Sequence, residues 1–278
     1  MADWHDRFYR YFEVQSANTP DLLREAMSLR YQVYCVERAY NDHQLYQDGL
    51  EKDEFDQTSA QSVLRHLESG EVAATVRLIR PTAEIECGLL PMELHCQIDP
   101  EFRSKISGIP REQIGEISRL AVSKQFRRRL GEERTTQGAI EISTPQQRRP
   151  DDRRSIMPLI TLGLFQAIVT MSSEQDITFW MAVMEPQLLR LLRGFGVAFV
   201  QIGPAANYHG KRIPCVGRIS QVLAEIRRSR PDVWEFLTQD GINTGGTPCR
   251  LEAHPDFCSG RGCGKAIEFS ETDFVCKD

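Results

Sequence analysis

The sequence predicts an α/β protein in which helices pack on a mixed β-sheet. Three observations carry this expectation. Strand-like runs rich in Val, Ile and Phe alternate with helical stretches along most of the 278 residues. Two of the strands, at 62–67 and 71–81, flank a Ser69-Gly70 turn and read as a hairpin. Later strands are separated by helices. Hairpins together with helix-connected neighbours imply a mixed sheet covered by helices.

The elements follow in order. RYFEVQSA (10–17) reads as a strand, punctuated by Asn18-Thr19-Pro20. Thr19 and Pro20 open a helix, a hydroxyl cap followed by a ring tolerated in the first turn. Leu22, Leu23, Ala26, Leu29 and Val33 carry it at helical spacing over 20–37. The polar, acidic segment 41–58 reads as a loop and leads into the hairpin. Residues 84–113, with Pro91, Pro100 and Pro110, read as irregular, and EISRLAV (116–122) as a strand. Residues 131–153 have no apolar period and are expected to form a mobile basic insertion. Then come an apolar helix (155–172), a buried strand (177–184), a glycine-closed helix (186–196), and strands at 197–203 and 212–219. A helix over 220–237 is interrupted at Pro231. The domain reading is one unit over 1–240 and a Gly- and Cys-rich tail over 241–278.

Composition narrows the function classes. With 41% hydrophobic and 26% charged residues the chain is of ordinary globular type, and its length allows a sizeable core. No apolar run approaches the roughly 20 residues that span a bilayer. The start, MADWHDRFYRYF, has no apolar signal region, so a cytoplasmic location is expected. A net charge of −5 argues against nucleic-acid binding by bulk electrostatics. Basic residues nevertheless concentrate between Lys124 and Arg154. That stretch reads either as a solvated loop or as a docking surface for an acidic partner, and its few aromatics disfavour nucleic acid. Of the eight cysteines, Cys35, Cys87, Cys96 and Cys215 read as buried, inert thiols. His254, Cys258, Cys263 and Cys276 could bind zinc, but the gap of four residues between the central pair is wider than structural zinc usually uses.

The chemistry concentrates elsewhere. Glu51, Asp53, Glu54 and Asp56 surround Phe55. Such a run is a solvated loop, a metal site or working chemistry; it lacks the glycine of a twelve-residue calcium loop. Three arginines weigh on the choice. Arg30 lies in the first helix, Arg77 interrupts ATVRLIR, and Arg119 interrupts EISRLAV near Glu116. An arginine in a buried strand needs a partner, and the acids supply candidates.

These segments resemble a known family. Leu29-Arg30-Tyr31-Gln32-Val33-Tyr34 with Glu37, then Glu51-Lys52-Asp53-Glu54-Phe55-Asp56, then Thr75-Val76-Arg77-Leu78, then Gly115 through Val122 resemble, in order, the motifs of LuxI-type acyl-homoserine lactone synthases. LLPMELHCQID (89–99) and IGEISRLAVSKQFRRR (114–129) are similar to the PEP-CTERM/exosortase-associated acyltransferases, which relate to those synthases and to N-acyl amino acid synthases. The resemblance implies the fold of GCN5-related N-acetyltransferases (GNAT) over 1–240, with a bulge in the central strand, and cytoplasmic N-acyl transfer without a cofactor. It departs in two places. The lactone synthases usually carry tryptophan near Tyr40, and they lack the insertion and the tail. The glycines of the acetyl-CoA-binding branch are largely missing from Gln125–Gly131. The expected donor is therefore an acyl-phosphopantetheine thioester on acyl-carrier protein, and the expected acceptor an amino acid or related amine. Lactone synthesis from S-adenosylmethionine, and a non-catalytic acyl or carrier-protein binding module, stay open.

Acyl transfer needs a group that removes a proton from the amine. Glu51 and Asp53 are the leading candidates, with Glu116 next. Asp56, of opposite parity to Glu51 and Asp53 in an extended segment, is expected to brace an arginine. Arg30, Arg77 and Arg119 would keep the carboxylates ionised or hold an acceptor carboxylate. Tyr34 and Ser118 would join them in binding substrate. A bulge between residues 117 and 120 would bring Glu116 and Arg119 to one face and offer backbone N–H groups to the thioester oxygen. The helix 156–171 and the strand 179–184 could line a slot for the acyl chain.

Overall fold

The structure is a computed structural model and describes residues 4–81, 88–127, 156–207 and 210–244. The insertion at 131–153, the tail from 245 with its candidate zinc ligands, and Cys87 lie outside the described residues. The strands are β1 (Phe12–Ser16), β2 (Ser59–His66), β3 (Val72–Ile79), β4 (Ile114–Val122), β5 (Phe179–Met184), β6 (Val200–Gln201), β7 (Ala206–Asn207) and β8 (Lys211–Arg218). They form one mixed sheet in the order β1-β2-β3-β4-β5-β8-β6, with β7 paired to β8 outside that path. β4 and β5 are parallel, and the other pairs are antiparallel.

The helices are α1 (Trp4–Tyr9), α2 (Pro20–Tyr31), α3 (Pro91–His95), α4 (Pro100–Ser107), α5 (Lys124–Arg127), α6 (Ile156–Glu174), α7 (Pro186–Gly194), α8 (Ile219–Ser229) and α9 (Pro231–Thr238). Thr19 caps α2 as expected, its hydroxyl oxygen accepting from the Leu22 N–H. A π-helical turn, Gln32–Glu37, prolongs α2, and such wide turns recur at functional sites. The segment read as irregular holds α3 and α4. Each begins with proline at its first helical position, so the ring that reads as a breaker acts here as a starter. The strand expected over 197–203 shrinks to Val200–Gln201, and α1 and β7 were not foreseen.

Alternation along the strands divides the core between two faces. Leu78, Trp180 and Ala182 pack with Phe8, Leu64, Phe165 and α6 on one side. Ile79, Phe179 and Met181 pack with Phe55, Leu90, Met92 and Ile106 on the other. The parallel pair β4–β5 needs a crossover connection, and α6 lies between them in the chain. This 19-residue helix is long and apolar enough to cross a membrane by length and composition, contrary to the expectation that no run comes close, but 78% of its most apolar window is buried inside the protein. Its approach to α1 is tight: a Cβ on Gly163 would lie 2.3 Å from Phe8 Cε2.

The bulge is where the sequence places it. β3 and β4 pair as Ile79↔Glu116, Leu78↔Ile117 and Arg77↔Ser118, then resume at Thr75↔Ala121. Val76 therefore faces two residues, Arg119 and Leu120, and Arg119 takes a left-handed backbone with φ 48°. On the opposite edge the β4–β5 ladder ends at Ile117↔Ala182, although β4 runs on to Val122 and β5 to Met184. The two central strands part at that point.

Candidate active site

A cavity of about 270 Å³ opens where β4 and β5 separate. β4 supplies Glu116 through Leu120, β5 supplies Ala182, Val183 and Met184, and Asp53, Phe55 and Arg77 close one side. Tyr34 of the π-helical turn, Met92 of α3, Leu188 of α7 and Arg212 of β8 are also part of the wall, as are Glu54 and His95.

Beside the cavity the three arginines and three acids form one cluster. Arg30 donates from Nε to Glu51 at 2.6 Å and from both terminal nitrogens to Asp56 at 2.6 and 3.0 Å. Arg77 donates to both oxygens of Asp53, to Asp56 at 2.8 Å, and from Nε to Ser118 Oγ at 2.9 Å. Arg119 reaches Glu51 from Nε at 3.0 Å and Asp53 from Nη2 at 2.9 Å. Asp53 also caps the short 3₁₀ turn Glu54–Thr58, and the Asp56 carboxylate accepts from the Asp53 backbone N–H, so the acid loop is folded around its own charges. Burial pushes the Asp53 and Asp56 carboxyls up, but the arginine hydrogen bonds and charges outweigh it, and both end below the ordinary range.

The expected site residues thus come together, though not all on the cavity wall. Asp53, Arg77, Ser118, Arg119, Tyr34 and Glu116 face the cavity. Arg30 and Glu51 are fully enclosed behind them, and Asp56, nearly as buried, bridges Arg30 and Arg77. Every carboxylate oxygen of Glu51, Asp53 and Asp56 already accepts from a guanidinium or an amide. The Tyr34 hydroxyl donates to the Leu120 carbonyl at 3.1 Å, and the Arg119 guanidinium lies over its ring. Burial pushes the Tyr34 phenol up to about 12, so it stays neutral.

Glu116 is in a different situation. It is buried, one oxygen accepts from the Met92 backbone N–H at 2.9 Å, and among the described residues it has no ion-pair partner. Burial pushes its carboxyl up to about 8, against the weaker opposing pull of the Met92 N–H and of Arg77.

Two expectations are corrected. α6 does not line the cavity, because its side chains are consumed by the core; the apolar wall comes from β5, Phe55, Met92 and Leu188. Arg127, counted in the basic stretch, is buried against Glu37 in an ion pair. Cys35, Cys96 and Cys215 are buried, and burial pushes all three thiols up, Cys35 to about 11. Arg212 was missed as a site residue. It stands at the start of the strand read at 212–219, and a basic residue there looks like any solvated strand end.

Residues 29–137 match the model of the acetyltransferase (GNAT) domain. No curated protein gives a significant match. Among solved structures the chain is similar to TofI in a ternary complex with an inhibitor and MTA (17% identity, TM-score 0.49, covering 77% of this chain and 95% of that one). It is also similar to FeeM, an N-acyl amino acid synthase from uncultured soil microbes (14%, 0.47, 77% and 94%). A third is BjaI, a CoA-dependent acyl-homoserine lactone synthase, with SAM and isopentyl-CoA (19%, 0.48, 82% and 99%). The domain match, together with the mixed sheet and its parted central strands, bears out the expected GNAT-like fold and supports an enzyme of the N-acyltransferase type.

Proposed function

We propose that this chain, with its acetyltransferase (GNAT) domain match, moves a fatty acyl group from a phosphopantetheine thioester on acyl-carrier protein to the amine of an amino acid or related acceptor. The observation that carries this reading is Glu116: a buried carboxyl with no ion-pair partner among the described residues, on the wall of a cavity between parted strands. A carboxyl poised near 8 is close to the pKa of an amine, so a proton passes between them at little cost. The charge of the incoming ammonium lowers the Glu116 pKa, and the carboxyl releases its proton to solvent through the cavity mouth. Glu116 then takes one proton from the nitrogen, the freed lone pair attacks the thioester carbon, the C–S bond breaks, and the second nitrogen proton passes to the leaving sulfur, so that the products are an amide and a thiol. Backbone N–H groups at the Arg119–Leu120 bulge, where β4 has left β5, receive the carbonyl oxygen as negative charge develops on it. Ile117, Ala182, Val183, Met184 and Leu188 give the acyl chain an apolar wall.

In this reading Glu51, Asp53 and Asp56 do not act as bases. Each is held by at least two arginines, and the depressed pKa values of Asp53 and Asp56 make those two poor proton acceptors. Their work is to fix Arg77 and Arg119, and through them Ser118 and the bulge. Carrier protein is favoured over free CoA as donor because the segment after β4, Gln125–Gly131, has few glycines to bring backbone amides to a pyrophosphate. The subgroup resemblance, to exosortase-associated acyltransferases, rests on residues 89–99 and 114–129.

The test is product formation. The purified full chain is supplied with acyl-carrier protein loaded with octanoyl to hexadecanoyl chains and a panel of amino acids, and N-acyl products are measured by mass spectrometry. A new amide that depends on Glu116 supports the reading. No amide from any pair, or equal amide from Glu116→Gln, overturns it. Labelled S-adenosylmethionine in parallel reveals whether methionine carbon enters a lactone ring.

A further inference from the structure

Arg212 differs from the other three arginines of the site. Arg30 and Arg77 use Nε and both terminal nitrogens on Glu51, Asp53, Asp56 and Ser118. Arg119 uses Nε and Nη2, which leaves a single nitrogen beside the Tyr34 ring, too little for a two-pronged contact. Arg212 pairs with one carboxylate, Glu185 Oε1, 3.0 Å from Nη1, and the same nitrogen lies 3.4 Å from the Lys211 carbonyl. Its Nε and Nη2 have no hydrogen bond among the described residues. Yet the side chain is only 11% exposed and belongs to the cavity wall.

The backbone holds it there. β5 and β8 pair up to Met184↔Ile213, so Glu185 and Arg212 are the first residues past that ladder. Arg212 is also paired to Ala206 across the β7–β8 hairpin. Glu185, itself buried, neutralises the charge and fixes the Nη1 side of the guanidinium. The opposite fork, Nε with Nη2, has the spacing and planarity that match a carboxylate by two parallel hydrogen bonds. Within the sheet β8 and β4 lie on either side of β5, so Arg212 and Glu116 reach the cavity from separate strands.

We propose that the Nε–Nη2 fork of Arg212 receives the carboxylate of the acceptor while its amine faces Glu116. The acceptor class is then an amino acid, and a simple alkylamine is a poor substitute. This rests on the acyl-transfer reading, and it assigns the acceptor's recognition to a residue outside the acid–arginine cluster.

The test separates recognition from transfer. Binding of N-octanoyl derivatives of glycine, leucine and tyrosine is compared with that of the matching uncharged carboxamides by titration calorimetry. Wild type is expected to prefer the best acid over its amide by about ten- to hundredfold, the scale of a lost charge-assisted pair. In Arg212→Gln the acid-to-amide ratio should collapse to about one, with Arg212→Lys between. Because Arg212→Gln takes the guanidinium away from the buried Glu185, the double variant Glu185→Gln/Arg212→Gln is measured beside it and should show the same collapse. Equal binding of acid and amide by wild type, or an unchanged ratio in both the single and the double variant, overturns the proposal. Transfer is assayed in the same preparations. An Arg212-dependent ratio without transfer in wild type would leave the binding site standing and remove the acyltransferase reading. Transfer with an Arg212-independent ratio would do the reverse.

Discussion

Two stretches of the bulged strand treat carboxylates in opposite ways. Around Arg119, three acids are matched by three arginines, and burial is offset by charge pairing. A few residues earlier on the same strand, Glu116 is buried with one backbone N–H and, among the described residues, no ion-pair partner. Asp53 and Asp56 are held ionised in one place, and Glu116 is held protonated in the other. The difference assigns the roles: the paired acids build the site, and the lone acid has a proton to exchange.

Substitutions in the two stretches should have effects of different size and sign. The largest effect is expected at Glu116. Glu116→Gln should lower N-acyl product formation by about 10²–10⁴-fold. Thermal unfolding at pH 7 should not fall and should rise, because the wild-type carboxyl, ionised in the unfolded chain, must take up a proton to fold at that pH while the amide need not. A variant that loses activity only because it unfolds would erase the contrast. Next comes Asp56→Ala. It strips carboxylate partners from Arg30 and Arg77 inside the protein and should cost about 3–5 kcal/mol in denaturant unfolding. A loss below 1 kcal/mol would mean that water reaches the cluster.

Stability against pH is a smaller and more diagnostic effect, and the two regions should give opposite signs. Glu116 has a folded pKa near 8, above its unfolded value of about 4.3. The folded state therefore holds the extra proton, and the Glu116 contribution declines as pH rises from about 4.3 to 8. Comparing unfolding curves of wild type and Glu116→Gln across that window should show wild type falling relative to the variant. Asp53 and Asp56 have folded pKa values below the unfolded one. Their contribution is full above about pH 3.9 and is lost as pH falls through the lower folded values. The smallest expected effect is Ser118→Ala, which removes the Arg77 Nε acceptor and should cost about 1 kcal/mol.

Much of this arrangement was legible in the chain. Arginines inside apolar strands demanded partners, and Glu51, Asp53 and Asp56 were the acids on offer; the structure joins them. The bulge was implied by the family resemblance, and such a bulge puts Glu116 and Arg119 on one face. The division of labour did not follow, because parity cannot say that Glu51 turns inward to Arg30 while Glu116 stays unpaired; that depends on the fold of the 3₁₀ turn Glu54–Thr58 and on where α3 delivers the Met92 N–H. Short helices such as α3 and α4 escape periodicity because five to eight residues hold too few apolar positions to reveal a period. Arg212 escaped because its burial depends on a long-range pairing, Met184 with Ile213, that no local pattern announces.

The most direct measurement is a carbon-13 NMR titration of the side-chain carboxyls, with Glu116 assigned by its loss in Glu116→Gln. Glu116 is expected to titrate near pH 8 while Asp53 and Asp56 stay ionised throughout the neutral and mildly acidic range. A Glu116 resonance that titrates near 4.3, the ordinary value for a glutamate, would contradict it.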